Sequence, residues 1–458
     1  MKYIIEKKQS AEPKPSEFAV GIPDKSKKSP LPVVNGEIWT MDFREHKATN
    51  KHFDFRISNG KIAYAFVIPK GLPKDNKSQN LAIRQPDHDP DDLGFEGKIT
   101  KGYGKGTVKL LEYGKIYVIK SNNKHVYFAT MEKYTDEYHL FKPPDDITKD
   151  WKIQNITPKY EELNLHKEDY KSKKAKDIEL YINDDNYVCS PKIDGAHCVI
   201  IFDKYVTHFY SPRKSKTTPN ALQYTYRLSY DIIRPIKKLK GTKIRVEFYF
   251  IDKDGKVLPV EKISALLNKN PLDAMQQIRD EELSPQFYIF EIDKFKGKEV
   301  NKPYKDKIKL INEIKSYLPE NFVVPDFAFT TEEKEELISK IEKNEYPLTM
   351  EGVVFKDLND KDAPTIKYKF GDEWDVYIRE IIPTIKDGKK MMGYFTYSDD
   401  PKGKILGKVG SGFTDKERID MLKHPQKYLG RVATIKGMYR TKAGSIRAPV
   451  FSHIRVDK

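Results

Sequence analysis

The sequence predicts an α+β multidomain protein: a small β-barrel-like amino-terminal domain, an α+β domain in the middle and a β-barrel at the carboxy terminus. Three observations predict it. Short alternating apolar runs punctuated by glycines fill residues 33–141, strand and helix patterns mix over 177–372, and glycine-bounded strands flank one short helix beyond Asp375. The 458 residues match roughly three domains at ~150 residues each. The boundaries read as 1–145, 146–372 and 373–458.

Each element has a local cause. Pro13, Pro15, Pro23, Pro30 and Pro32 among lysines and serines predict an extended entry segment. Residues 53–57, 64–68, 107–111, 116–119 and 125–129 read as strands, separated by Gly60, Gly71, Gly102, Gly104, Gly106 and Gly114. A polar joint follows from Pro143 to about Lys176. Residues 222–239 read as a helix broken at Pro235. Thr330 with Glu333, and Thr414 with Glu417, have the spacing of capping boxes and start two further helices. The glycines from Gly102 to Gly106 read as a tight turn rather than a phosphate loop, because no helix pattern follows them.

Composition narrows the class. Lys and Arg number 83 against 68 Asp and Glu, a net charge of +15 that favours polyanionic partners. Hydrophobic residues at 38%, with 12% aromatics, suffice for packed cores. The longest apolar stretches, such as Val199-Ile200-Ile201-Phe202, fall far below the ~18 residues of a spanning helix. Cys189 and Cys198 cannot build a disulfide scaffold or a Cys-rich zinc site. The charged start of the chain is no secretory signal. The expectation is an intracellular protein, in the cytoplasm or nucleoid, with no membrane contact.

The middle module carries a lysine before an Asp-Gly turn: Ser190-Pro191-Lys192-Ile193-Asp194-Gly195-Ala196, leading into an apolar strand. Taken singly, such a turn is common. Downstream, in order, come Arg245-Val246-Glu247-Phe248-Tyr249, whose alternation puts Arg245, Glu247 and Tyr249 on one face. Then follow Tyr288-Ile289-Phe290-Glu291, Met350-Glu351-Gly352-Val353-Val354 and Ile366-Lys367-Tyr368-Lys369. The chain ends with Arg447, Pro449, Phe451, Arg455, Asp457 and Lys458 in fixed spacing.

This set, over residues 185–458, resembles the covalent nucleotidyltransferases, and within them the ATP-dependent DNA ligases. The third module, with Gly407-Lys408-Val409-Gly410-Ser411-Gly412, is most similar to the oligonucleotide-binding (OB-fold) barrel of bacterial ligase D. The resemblance implies that Lys192 is the nucleophile adenylated by ATP. It implies a nucleotide pocket of Asp194, Gly195, Arg213, Glu247 on the ribose, Phe290 on adenine, and Lys367 and Lys369 on the α-phosphate. Glu351 and Glu247 are the implied contacts of Mg2+ or Mn2+, and Arg447, Arg455 and Lys458 orient the leaving pyrophosphate. The attacking amine must be uncharged, which burial and neighbouring cations such as Lys367, Lys369 or a metal ion favour. Three departures stand out: His197 where the family has arginine, Ser190 where it has an acid, and Ser211-Pro212-Arg213-Lys214 without its usual glycine.

In the first module His46 precedes His52-Phe53-Asp54-Phe55-Arg56, and a strand puts His52, Asp54 and Arg56 on one face. Two imidazoles and a carboxylate suit a transition metal. With Lys70, Leu81-Ala82-Ile83-Arg84, Asp87-His88 and Phe95-Glu96-Gly97, the module resembles the 3′-phosphoesterase domain of the same bacterial ligase D. By that resemblance His46, His52 and Asp54 ligate Mn2+ or Zn2+, while Arg56, Lys70 and His88 hold the phosphate. The family's arginine before the Leu-Ala pair is Asn80 here, and the tyrosine after Asp-His is missing.

The resulting expectation is a monomeric ATP-dependent DNA ligase acting on nicked or broken duplex DNA in repair, replication or recombination, with a Ku-like protein as a further partner. Its first module trims 3′ ends or remains as a DNA clamp. The alternatives are an RNA ligase or capping-type nucleotidyltransferase, and a non-catalytic DNA-end-binding scaffold.

Overall fold

The computed structural model describes residues 27–100, 104–144, 150–165, 172–174, 178–214, 219–343, 345–346, 350–362, 364–386, 388–437, 440–441, 443–446 and 448–455. Most of the predicted entry segment, Gly102, Arg447 and Lys458 lie outside them. The chain divides into two compact units, Met1–Tyr170 with Gly195–Pro325, and Lys171–Asp194 with Asp326–Lys458.

The first unit opens with nine strands: β1 (Val34–Lys47), β2 (Lys51–Ser58), β3 (Ala63–Ile68), β4 (Gln79–Arg84), β5 (Gly97–Ile99), β6 (Gly106–Asn122), β7 (His125–Thr130), β8 (Glu137–Phe141) and β9 (Trp151–Asn155). Eight of them close a barrel in the order β1-β2-β3-β4-β9-β8-β7-β6, completed by β6 pairing with β1, and β5 adds to β6. Alternation sends Trp39, Met41, Phe55, Ile57, Phe66, Phe128 and Leu140 inward to one core. Closure removes the free edges of the sheet. Two details correct the sequence reading. Gly114 lies inside β6, opposite Met41, and bounds nothing. Strand β9 falls in the stretch read as a polar joint, and without it β4 and β8 would have no partner between them.

The chain continues through β10 (Ser172–Lys174), β11 (Tyr187–Ile193), β12 (Ala196–Phe202), β13 (Thr207–Tyr210), β14 (Lys243–Ile251), β15 (Ser284–Phe295), β16 (Lys298–Glu299) and β17 (Phe322–Val323). In the first unit β13-β12-β14-β15-β16 form a sheet, with β17 beside β15. The helix expected over 222–239 is a 3-10 turn at Thr225–Arg227, one helical turn at Tyr230–Ile233 and a second 3-10 turn at Lys237–Leu239. The run from Tyr224 to Leu228 is buried on all sides, so it presents no amphipathic face. Arg227 anchors it by donating to the Lys269 and Gln223 carbonyls.

The barrel is tied to this sheet by a buried polar contact. The Glu137 carboxylate of β8 accepts from His208 Nε2 at 3.1 Å and from Gln223 Nε2 at 3.1 Å. Around it Tyr117 packs on Tyr226, with ring centroids 5.4 Å apart.

The second unit contains β10, β11, β18 (Met350–Asp357), β19 (Thr365–Lys369), β20 (Asp372–Lys386), β21 (Lys389–Ser398), β22 (Gly407–Val409), β23 (Val432–Gly437) and β24 (Val450–Ile454). Its sheets run β10-β19-β18-β11 and β22-β21-β20-β23-β24. The helix Asp415–Lys423 lies between β22 and β23, and Ser411 bridges Val450 in parallel. Both capping boxes form as predicted, Thr330 with Glu333 and Thr414 with Glu417. Among the described residues no helix is long and apolar enough to cross a membrane.

Candidate functional site

Two constellations bring the predicted residues together, one in each unit. The first is made by the β1–β2 hairpin. Its register sets His46 opposite His52, Arg44 opposite Asp54 and Asp42 opposite Arg56. Since Met41, Phe55 and Ile57 take the core face, these six polar residues share the other one. Residues 92–95 cover it: Gly94 N donates to Asp42 at 2.8 Å, Arg44 donates to the Asp92 carbonyl, and Arg44 lies 5.9 Å from the Phe95 ring centre.

The ligand atoms of His46, His52 and Asp54 all lie within 4.8 Å of one another. Their tautomers follow from the backbone. His46 Nε2 stands 2.8 Å from the Gly104 carbonyl and His52 Nδ1 stands 2.9 Å from the Asn50 carbonyl. A carbonyl only accepts, so both outer nitrogens carry the proton and the inner ones present lone pairs. Those lone pairs face Asp54, His46 Nδ1 at 3.3 Å and His52 Nε2 at 3.5 Å. Acceptors crowded in this way fit a cation between them, and two nitrogens with one oxygen suit Mn2+ or Zn2+. His46 is buried while His52 and Asp54 are half-exposed, which leaves one side open to a substrate.

Arg56 and His88 meet at Asp92, whose carbonyl is 3.5 Å from Arg56 and whose carboxylate is 3.5 Å from His88 Nδ1. Burial pushes the Asp92 carboxyl up, but His88, Arg56 and Arg44 outweigh it and hold it below its ordinary value. Arg56 Nε is buried with no hydrogen-bond partner among the described residues. Lys70 is exposed in the turn after β3. Asn80, where the family has arginine, donates to the Gly71 carbonyl at 2.7 Å and fastens that turn. Asp42 and Arg44 escaped the sequence reading, although Asp42, Arg44 and His46 alternate as His52, Asp54 and Arg56 do.

The second constellation lies on β11, β18 and β19. Lys192 pairs in register with Gly352, and Gly352 with Lys369. The Glu351 carboxylate, 4% exposed, forms ion pairs with Lys192 and with Lys369 Nζ, the latter at 2.8 Å. Gly352 is required there: φ is +156°, and a Cβ would lie 2.0 Å from the Tyr368 carbonyl oxygen. Lys367 follows the same strand face, half-buried and opposite Val354. The expected surplus of cation around the amine is therefore different in this state, since Lys192 and Lys369 share one buried carboxylate. A carboxylate in contact favours the protonated amine.

Of the other residues expected at the nucleotide, Gly195, Arg213, Glu247 and Phe290 sit in the first unit and Asp194 in the second. Glu247 on β14 is opposite His197 and Tyr288. The His197 and Phe290 rings meet edge to face at 5.4 Å. Gly195 approaches so closely that a Cβ would stand 2.7 Å from the Phe248 carbonyl oxygen. Arg213 is exposed after β13. The division between units falls between Asp194 and Gly195. In the second unit Arg455 pairs with Asp375 at 2.9 Å.

Residues 44–167 match the family described as the DNA Ligase D 3′-phosphoesterase domain. The LigD end-joining protein of Mycobacterium bovis is 34% identical over 93 residues, 19% of this chain and 12% of that protein. Its counterpart in Pseudomonas aeruginosa is 30% identical over 106 residues, 22% of this chain and 13% of that one. The matched part thus spans about an eighth of these relatives' length. Among solved structures, a Lig E DNA ligase aligns with 62% of this chain and 99% of its own at 17% identity and a TM-score of 0.45. Mycobacterial DNA ligase D complexed with ATP and MES aligns with 59% of this chain and 90% of its own at 16% identity and a TM-score of 0.31. The chain resembles bacterial ligase D, and its residues 44–167 form a 3′-phosphoesterase-like domain.

Proposed function

We propose that the chain is an ATP-dependent DNA ligase whose amino-terminal barrel prepares 3′ ends. The observation that carries the sealing half is the buried Glu351 carboxylate held between Lys192 and Lys369. Lys192 Nζ attacks the α-phosphorus of ATP: the N–P bond forms, the bond to the bridging oxygen breaks, and pyrophosphate leaves. Splitting the reaction through a lysyl–AMP adduct replaces one hard step by two easier ones. AMP then passes to the 5′-phosphate of a nick, and the 3′-OH displaces it. Mg2+ or Mn2+ would supply charge stabilisation at the phosphoryl oxygens. Glu351 would hold such an ion, and its carboxylate would then no longer favour the ammonium form of Lys192.

By this reading Glu247 and Phe290 hold the ribose and adenine, and Asp194, Gly195 and Arg213 also serve the nucleotide. Lys367 and Lys369 neutralise the α-phosphate, and Arg447, Arg455 and Lys458 the leaving pyrophosphate. The strand order of β20–β24, the helix before β23 and the parallel Ser411–Val450 bridge support an OB-fold reading of the last module. In the barrel, His46, His52 and Asp54 would hold Mn2+ or Zn2+ for Lewis-acid chemistry on a 3′-phosphate or a 3′-ribonucleotide. Arg56, whose Nε is buried with no hydrogen-bond partner among the described residues, and His88 meet at Asp92 and would bind the phosphate, with Lys70 at the rim.

Incubation with α-labelled ATP and magnesium, followed by denaturing electrophoresis, tests the sealing half. A covalent AMP adduct on the wild type, absent from Lys192→Ala, is expected. Labelling by GTP alone would point to a capping-type enzyme, and equal nick sealing by Lys192→Ala to a scaffold. For the barrel, a 5′-labelled strand ending in one ribonucleotide or a 3′-phosphate is incubated with manganese. Shortening or dephosphorylation that His52→Ala abolishes is expected; no product reduces the barrel to a DNA clamp.

A further inference from the structure

We propose that the outer face of β7 and β8, with Tyr205, is a stacking platform for unpaired nucleotides at a DNA end. Register places His125 opposite Phe141 and Tyr127 opposite His139. The alternate residues Val126, Phe128, Tyr138 and Leu140 fill the core, so these four rings point away from it; Tyr127 is itself buried between its neighbours, and the Phe141 end is where a base can stack. They form a column with Tyr205: centroids are 4.0 Å apart for Tyr205–Tyr127, 4.0 Å for Tyr127–His139 and 4.4 Å for His139–Phe141. The planes are tilted by 26°, 10° and 21°. His125 lies beside the column, its Nδ1 3.0 Å from His139 Nε2. Phe141, at the end of the column, is half-exposed.

The charge around the column suits a nucleic-acid backbone. Lys120, Lys124 and Lys204 are exposed and close enough to act on the His125 ring, and Lys204 Nζ lies 4.8 Å from the Tyr205 ring centre. Asp203, whose carboxylate accepts from Lys204 N at 2.6 Å, is the acid beside them. Burial, His125 and Lys204 push the His139 imidazole down to about 4, so near neutrality the ring stacks uncharged while lysines supply the cations. Aromatic faces with flanking lysines bind single strands without sequence preference, because every base offers a π-face. The platform uses strands opposite β2 and β3 in the ring, away from the His46 cluster. Only the choice of DNA over RNA rests on the function proposed above.

The test uses the full chain and fluorescent duplexes that are blunt or carry a twelve-nucleotide thymidine tail. Tighter binding of the tailed duplex is expected, with about a tenfold loss in Phe141→Ala and a shallower salt dependence in Lys124→Glu. Lys124 is exposed, so its reversal leaves the fold intact. A 2-aminopurine in the tail of the unaltered protein's complex should change in fluorescence, which needs no variant. Equal binding of blunt and tailed duplexes, with no change in 2-aminopurine emission, overturns the proposal and makes the column packing between barrel and sheet. A preference for a ribonucleotide tail overturns the choice of DNA. AMP-adduct formation, read separately, reports on the ligase reading alone.

Discussion

His46 stands directly opposite His52 across the β1–β2 hairpin, and backbone carbonyls at Gly104 and Asn50 hold each ring with its lone pair toward Asp54. The cluster is thus prepared for a cation by the hairpin itself and by Gly104, 58 residues further along the chain from His46.

Manganese or zinc should therefore stabilise the folded protein. A ligand at a hundred times its Kd adds about 2.7 kcal/mol. Thermal unfolding should rise with manganese in the wild type and stay flat in His46→Ala and Asp54→Ala. An unchanged midpoint in the wild type would remove the metal site.

Glu351 neutralises two lysines from within a buried strand, so Glu351→Gln should cost adenylation about a hundredfold. Glutamine keeps the shape, and circular dichroism should remain that of the wild type. The measurement is the fraction of protein carrying AMP after a single turnover. A near-normal fraction would place the metal contact elsewhere.

Gly352→Ala should destabilise the second unit by about 2 kcal/mol or more. Its Cβ would lie 2.0 Å from the Tyr368 carbonyl oxygen, a backbone atom with no room to yield. A lower urea midpoint, with adenylation lost in parallel, is the expected result. The same change at Gly114, which has no positive φ and where a Cβ meets nothing within 4 Å, is the control.

The Glu137–His208 pair predicts a pH window. Burial pushes the Glu137 carboxyl up, but His208, Gln223 and Tyr226 outweigh it and leave it below 4.5. Burial pushes the His208 imidazole down, but Glu137 outweighs it and leaves it above 6.5. The carboxylate's contribution is complete above 4.5 and is lost as pH falls through its lowered value. The imidazolium's contribution is complete below 6.5 and is lost as pH rises through its raised value. Urea unfolding of the first unit should therefore be hardest between these limits. His208→Ala, which strands a buried carboxylate, should cost about 3 kcal/mol and flatten the alkaline side of the profile. An unaltered profile would mean that the pair is not ionised.

Much of this was legible because it is local. Strict alternation over Phe53, Phe55 and Ile57 set the inward face of β2, and with it the common face of His52, Asp54 and Arg56. Thr330 with Glu333, and Thr414 with Glu417, started helices through contacts spanning three residues. Where burial surrounds a segment, as from Tyr224 to Leu228, periodicity vanishes and the predicted helix failed. Strand β9 was missed because Trp151, Ile153 and Asn155 acquire their inward face only when β4 and β8 flank them.

The sequence by itself determined the two chemical sets, a lysine with its acidic and basic companions and a histidine pair with an aspartate, because side-chain type and spacing along a strand are covalent facts. Tertiary structure alone decided that Glu351 joins Lys192 to Lys369, that Asp42 and Arg44 back the His46 cluster, and that Glu137 meets His208. Those contacts depend on strand register and on burial, which exist only once distant segments have packed together.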